Sequence, residues 1–213
     1  MAVVRYTAGK ELTPERKAQM KARMEAAAKL PYTYDPDCPL LTEEQLAEGE
    51  RYELIHGEAF AMSAPGALHQ LVLMELASQF HAYLKGRPCK VFPAPYDVRL
   101  FYREDGGDDT VVQPDITVVC DEKKRGGEGC RGAPDLVVEI LSPSNTAIEM
   151  QRKFGLYRTA GVREYWIVDP ENRELTTYGF AENLGFSVYK SGDTVSSAVL
   201  EGLRVALDQV FDV

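Results

Sequence analysis

The sequence predicts an α/β (α+β) fold in which a central mixed β-sheet is flanked by helices. Three observations carry that prediction. The run Leu136-Val137-Val138-Glu139-Ile140-Leu141 is entered through Pro134-Asp135 and is almost wholly apolar, the pattern of a strand buried on both faces. A helical segment and a second strand-like run at 163–170 follow it, and strand–helix–strand order makes the two strands parallel through a right-handed crossover. Alternating runs at 52–62 and 174–189 read as antiparallel pairs, which makes the expected sheet mixed.

The chain has 213 residues, 45% hydrophobic and 27% charged, enough for one domain with a substantial core. Its formal net charge of −9 excludes a nucleic-acid binder that relies on bulk positive charge, but not a local positive groove beside an acidic site. Cys38, Cys89, Cys120 and Cys130 form no Cys-x-x-Cys pair and have no histidine at zinc-ligand spacing, so free thiols in a reducing cytosol are expected. The N-terminus lacks the charged-then-apolar pattern of a signal peptide, and no run reaches the roughly 18 apolar residues of a membrane span. The expectation is a soluble cytoplasmic protein with no membrane partner.

Residues 1–40 read as an extension with one helix. Thr13-Pro14-Glu15 opens it, with Thr as N-cap and Pro in the first turn, and Pro31 stops it. The helix is locally basic with a thin apolar face (Met20, Met24), which favours a solvated or partner-packed helix over an arm that contacts phosphates. Thr42-Glu43-Glu44-Gln45 is a capping box for a short helix ending near Gly49. Tyr52-Glu53-Leu54-Ile55, the turn His56-Gly57 and Glu58-Ala59-Phe60-Ala61-Met62 form a hairpin, with Glu53 on the face of Ile55.

A helix starts after Ser63-Ala64-Pro65-Gly66 and runs to about Lys85, where Gly86 closes it. His69, Val72, Leu76, Phe80 and Tyr83 recur at spacings of three and four, which places His69 on the core-facing stripe in the first turn. The partial positive charge of a helix N-terminus favours a neutral ring there, either a satisfied core histidine or one near a site. Residues 90–102 alternate as one strand, and 110–120 form another that starts at Asp115 or kinks at Pro114. Residues 121–132 read as a flexible loop carrying Lys123, Lys124, Arg125 and Arg131, either solvated or a flap facing nucleic acid. After the central run, Ser144 or Asn145 caps a helix ending at Gly161, with Glu149, Lys153 and Tyr157 on one face. In the C-terminal tail Leu207, Val210 and Phe211 serve as anchors.

Glu139 is the anomaly in this pattern. A buried ionised carboxylate costs several kcal/mol unless it is paired or binds a metal. Asp115 on a neighbouring strand and Lys153 on the following helix are the candidate partners. Two carboxylates on adjacent strands make a hard oxygen pocket suited to Mg²⁺ or Mn²⁺, and a nearby lysine can orient water or stabilise negative charge. A purely structural Glu139–Lys153 ion pair is equally compatible with the spacing.

Several motifs occur together in order: Tyr52-Glu53-Leu54-Ile55-x-Gly57-Glu58, His69-Gln70, Val112-Gln113-Pro114-Asp115-Ile116, the stretch from Gly132-Ala133-Pro134-Asp135 through Glu139-Ile140-Leu141-Ser142-Pro143-Ser144, and Lys153-x3-Tyr157-x3-Gly161-Val162-Arg163-Glu164-Tyr165-Trp166-Ile167-Val168-Asp169-Pro170. In these the chain resembles the Uma family of restriction-endonuclease-like proteins, within the PD-(D/E)XK phosphodiesterase superfamily. The resemblance spans 41–213 and implies a restriction-endonuclease-like domain there. It implies that Asp115 and Glu139 are metal ligands, with the Ile140 backbone carbonyl a third, that Glu53 completes the acidic site, and that His69 lines it. The lysine that the superfamily pattern places two residues after the second acid is replaced by Leu141, and the resemblance implies that Lys153 takes its role. Asp135 belongs to a rival Pro-Asp pair, but four residues of strand separate it from Glu139 by about 13 Å, too far for one metal.

The function so implied is Mg²⁺-dependent (or Mn²⁺-dependent) hydrolysis of DNA phosphodiester bonds by an endonuclease, with DNA as the partner and a homodimer suited to cutting two strands. The −9 charge and the displaced lysine keep two alternatives open. One is a catalytically weak or inactive nuclease-fold module that binds nucleic acid or protein, and the other is hydrolysis of another phosphoester.

Overall fold

The computed structural model describes residues 51–143, 145, 147–180 and 185–213. The expected helices at 14–29 and 42–49, the extension 1–40 and the cap at Ser144 lie outside the described residues. The described residues open on a hairpin of β1 (Tyr52–Ile55) and β2 (Glu58–Ala61), then α1 (Ala67–Leu84), β3 (Lys90–Pro93), β4 (Val98–Arg99), β5 (Val111–Val112) and β6 (Ile116–Val119). A single 3-10 turn (Glu122–Lys124) leads to β7 (Arg125–Gly126), β8 (Gly129–Arg131) and β9 (Leu136–Ile140). The rest is α2 (Ala147–Ala160), β10 (Glu164–Asp169), β11 (Glu174–Gly179), β12 (Gly185–Lys190), β13 (Thr194–Ser196), β14 (Arg204–Ala206) and α3 (Leu207–Phe211).

The central sheet is mixed, in the order β12-β11-β10-β9-β6-β3. β9 and β10 are parallel across the α2 crossover, while β11, β12, β6 and β3 join antiparallel. A second sheet, β2-β1-β5-β4-β8-β7, carries the N-terminal hairpin. That hairpin turns at His56 and Gly57, with φ of 51° and 83°, the left-handed pair that a two-residue hairpin turn requires.

Strand parity divides the core of the central sheet into two faces. Ile116, Val118, Leu136, Val138, Ile140, Trp166 and Val168 pack with Val72, Leu76 and Phe80 of α1 and with the tail anchors Leu207, Val210 and Phe211. Val119, Val137 and Tyr165 face the other way, against Phe154, Leu156 and Tyr157 of α2 and Val112 of the second sheet. Every residue of β9 is buried, which matches the apolar run read from the sequence. α2 stops at Gly161, whose φ of 92° ends the helix as Val162 N–H turns back to the Tyr157 carbonyl.

Three local expectations are corrected. The single strand expected over 90–102 is two strands in different sheets, because Pro93 and Pro95 have no N–H to continue a ladder. In the run 110–120 the break expected at Pro114 is present, and what is corrected is its extent: β5 and β6 on either side of it belong to different sheets. The loop expected over 121–132 holds a 3-10 turn and the β7–β8 pair. The two proline crossings run side by side, joined by the bond from Ala94 N–H to the Asp115 carbonyl, 2.9 Å.

The thiol expectation is corrected as well. The register Lys90↔Val119 sets Cys89 and Cys120 against each other across β3 and β6, and they form a disulfide. Cys130 is a free, buried thiol, whose proton burial holds on up to about 11, and Cys38 lies outside the described residues. Among the described residues, no helix is long and apolar enough to cross a membrane.

Candidate active site

The proline crossings place the end of β5 beside β1 and the start of β6 beside β9. Between them opens a cavity of about 550 Å³, and all six residues singled out in the sequence line it: Glu53, His69, Asp115, Glu139, Ile140 and Lys153.

Lys153 lies at its centre. Its Nζ donates to Glu139 Oε1 and Oε2 at 3.1 and 3.2 Å and to Glu53 Oε1 at 3.2 Å. The helical spacing of α2 brings Tyr157 to the same carboxylate, and its hydroxyl donates to Glu139 Oε1 at 2.5 Å. Glu53 is buried at 5% exposure because β1 alternation turns it inward, and its Oε1 also accepts from Gln113 N–H at 3.0 Å. Asp115 Oδ2 accepts from the Ile140 N–H at 2.7 Å and lies 3.2 Å from His69 Nε2. Ile140 thus holds Asp115 through its amide, and its backbone carbonyl, as an acceptor for the imidazole, also favours protonated His69. The rival Asp135 lies elsewhere, accepting from Cys120 N–H and pairing with Arg163 at 3.1 Å.

The electrostatics follow from three carboxylates sharing one buried ammonium. Burial pushes the Glu139 carboxyl up to about 8; Lys153 and the Tyr157 hydrogen bond oppose this, while Asp115 and Glu53 reinforce it. Burial would lower the Lys153 ammonium, but the charges of Glu139, Glu53 and Glu149 outweigh it, and the lysine holds its proton more tightly than a free one. His69 is also raised. Burial works against the imidazolium, and the hydrogen bond and charge of Asp115 overcome it together with Ile140 and Glu139. The preference for a neutral ring expected at a helix N-terminus is therefore overridden by the facing carboxylate.

The donor set suits a hard divalent cation. Mg²⁺ takes one or two carboxylates and completes its shell with water and substrate oxygens. Among the described residues no donor reaches Asp115 Oδ1 or Glu53 Oε2, which leaves carboxylate oxygens available beside the cavity. Among the described residues, no three His, Cys, Asp or Glu side chains stand close enough together to hold a metal ion, so the fit is to a cation that takes one or two of these carboxylates and fills the rest of its shell with water.

Sequence reasoning did not assign Gln113, Arg152 or the Tyr157 hydroxyl to the site. Gln113 links Glu53 to Asp97, donating to its Oδ1 at 2.6 Å, and accepts from Arg51 at 2.7 Å. Arg152 lines the cavity with its guanidinium 4.1 Å from the Phe60 ring centroid. The face shared by Lys153 and Tyr157 was readable from spacing, but the cross-sheet partners of Gln113 were not.

A family model described as "Uma2: Putative restriction endonuclease" matches residues 40–208. The chain is 25% identical over 165 residues to the uncharacterized protein slr1290 of Synechocystis sp., covering 76% of this chain and 84% of the relative. It is 29% identical over 133 residues to the uncharacterized protein sll1609 of the same organism, covering 61% and 71%. A crystal structure described as a putative nuclease belonging to DUF820 from Anabaena variabilis aligns with a TM-score of 0.62 at 19% identity, covering 81% of this chain and 98% of that one. That last likeness is one of fold.

Proposed function

The chain belongs to the Uma2 putative restriction endonuclease family, and on that premise we propose that it is a Mg²⁺- or Mn²⁺-dependent endonuclease that hydrolyses DNA phosphodiester bonds. One observation carries the reading. Asp115 and Glu139 enter a single cavity from the paired strands β6 and β9, and Lys153 reaches back from α2 to the same point.

Asp115 and Glu139 would hold the cation, with Glu53 and the Ile140 carbonyl completing the set. The bound cation would supply Lewis-acid polarisation of a phosphoryl oxygen and a more acidic water. The chain's own groups do the rest. Lys153 orients the attacking water and offsets the negative charge that develops at the phosphate. Tyr157 fixes the Glu139 carboxylate through its hydrogen bond. His69, with Nε2 3.2 Å from Asp115 Oδ2, keeps that carboxylate turned toward Ile140 and the cavity. Arg51 and Arg152 bring positive charge to the cavity of a chain that is acidic as a whole.

Supercoiled plasmid incubated with the protein and Mn²⁺ is expected to become nicked, and Asp115→Asn protein prepared in parallel is expected to leave it intact. Equal nicking by both proteins would remove Asp115 from the chemistry. Band shifts without nicking by either would favour the binding-module reading.

A further inference from the structure

Lys153 stands where a cation belongs. Its ammonium contacts both oxygens of Glu139, at 3.1 and 3.2 Å, and Tyr157 holds Oε1 a second time. A metal ligated by Glu139 therefore binds an oxygen that the ammonium already contacts, so two cations crowd and repel each other at one carboxylate. The second anchor of Lys153 differs. Glu53 Oε1 accepts from Lys153 and from the Gln113 backbone, so it is fixed to the second sheet whatever happens at Glu139.

The charge count points the same way. Four carboxylates, Glu53, Asp115, Glu139 and Glu149, line one cavity, two of them (Glu53 and Glu139) nearly closed to solvent, and a buried carboxylate needs a counter-charge. Lys153 is buried, its side chain 7% exposed, with a long flexible stem behind its charge. A divalent cation arriving at Asp115 and Glu139 would make the ammonium redundant at Glu139 and bring two cations close together.

We propose that Lys153 is the built-in counter-ion of this carboxylate cluster and competes with the divalent cation for Glu139. The cation binds by displacing the ammonium from Glu139, and the lysine remains tethered through Glu53, facing the cavity. This rests on reading the cavity as a metal-dependent active site. It gives Lys153 two successive tasks, with Glu53 as the residue that positions it for the second. Removing the lysine's charge should then strengthen metal binding while destroying the chemistry, whereas a lysine acting only as a catalytic group would leave metal binding unchanged.

The test is calorimetric titration of Mn²⁺ into the wild-type chain and into Lys153→Met, without DNA. The expected result is binding at least about tenfold tighter in Lys153→Met, the low end for loss of a close buried charge competitor. Thermal melts should show Lys153→Met below wild type in EDTA and gaining more from Mn²⁺ than wild type does. Lys153→Gln, which keeps a hydrogen bond to Glu139 without the charge, covers the case in which Lys153→Met does not fold, and it too should bind tighter. Wild type binding Mn²⁺ as tightly as the neutral variants, or more tightly, overturns the competition and leaves the metal-site reading intact. No binding by any of the proteins overturns the metal-site reading, and the competition falls with it.

Discussion

Glu139 on β9 and Glu164 on β10 are buried glutamates, at 7% and 2% exposure, on neighbouring parallel strands of one sheet. The register Glu164↔Leu136 and Ile167↔Glu139 sends them to opposite faces. Glu164 lies on the face of Trp166 and Val168. Its Oε1 accepts from Trp166 Nε1 at 2.8 Å, and its Oε2 from Ser197 Oγ at 2.5 Å and Val199 N–H at 3.0 Å. Those donors are neutral, and they tie β10 to the C-terminal segment. Glu139 is held by an ammonium and a phenol and opens onto the cavity. A buried carboxylate in an apolar run therefore does not by itself identify a site. What separates these two is the charge of the partner and access from a cavity.

The comparison can be broken most forcefully at Lys153. Lys153→Ala leaves Glu53 and Glu139 buried without their cation, and urea unfolding is expected to show a loss of about 3–5 kcal/mol. A loss under about 1 kcal/mol would show that the pair is not what holds the buried charge. Next in size is activity. Glu139→Gln is expected to lower Mn²⁺-dependent plasmid nicking on the order of 10²–10³-fold, the usual effect of losing one group that stabilises transition-state charge. Glu164→Gln should keep the wild-type rate per folded molecule, and an equal fall in both would erase the distinction between the faces.

Glu164→Ala strands three donors and is expected to cost about 1–3 kcal/mol. The chain has one tryptophan, Trp166, so the same substitution should shift its fluorescence emission, whereas Glu139→Gln should leave that emission unchanged.

The gentlest probe is pH. The Glu139 carboxyl rises from the ordinary 4.5 to about 8 on folding, so the folded chain binds this proton more tightly than the unfolded one. Its contribution to stability is fully present below 4.5 and is lost as pH climbs through about 8. A proton on Glu139 competes with the cation alongside the Lys153 ammonium, so Mn²⁺ affinity should strengthen over the same climb and binding should release protons. Calorimetry in two buffers of unlike ionisation enthalpy reads this directly, and equal heats in both would contradict it.

Much of the fold was legible because its signals are local. The β9 run, the α1 stripe from His69 to Phe80 and the inward parity of Glu53 each follow from the periodicity of a single element. The helical spacing of Lys153 and Tyr157 gave their shared face for the same reason. What escaped depends on pairings across long stretches of chain. Neither proline crossing could be assigned to two sheets, since a broken alternation does not say which ladder the next residues join. The donors to Glu164 from Ser197 and Val199 lie 33 and 35 residues downstream, so the sequence offered no sign that this glutamate was satisfied. The Cys89–Cys120 pairing likewise depends on the register between β3 and β6, which spacing alone does not reveal.

That disulfide fastens the outermost strand of the central sheet. Among the described residues β3 has β6 on one side and no strand on the other, the position of an edge strand whose outward backbone groups could template a strand from another molecule. The strand is only four residues long, starts at an exposed Lys90, ends at Pro93 and is bonded covalently to its inner neighbour at Cys89. Each of these blunts the edge, and the covalent bond also stops β3 from peeling away and baring the fully buried β6. Oxidation state is thus tied to the integrity of this edge: reduction removes the covalent fastening and leaves β3 held to β6 by ladder hydrogen bonds and packing alone.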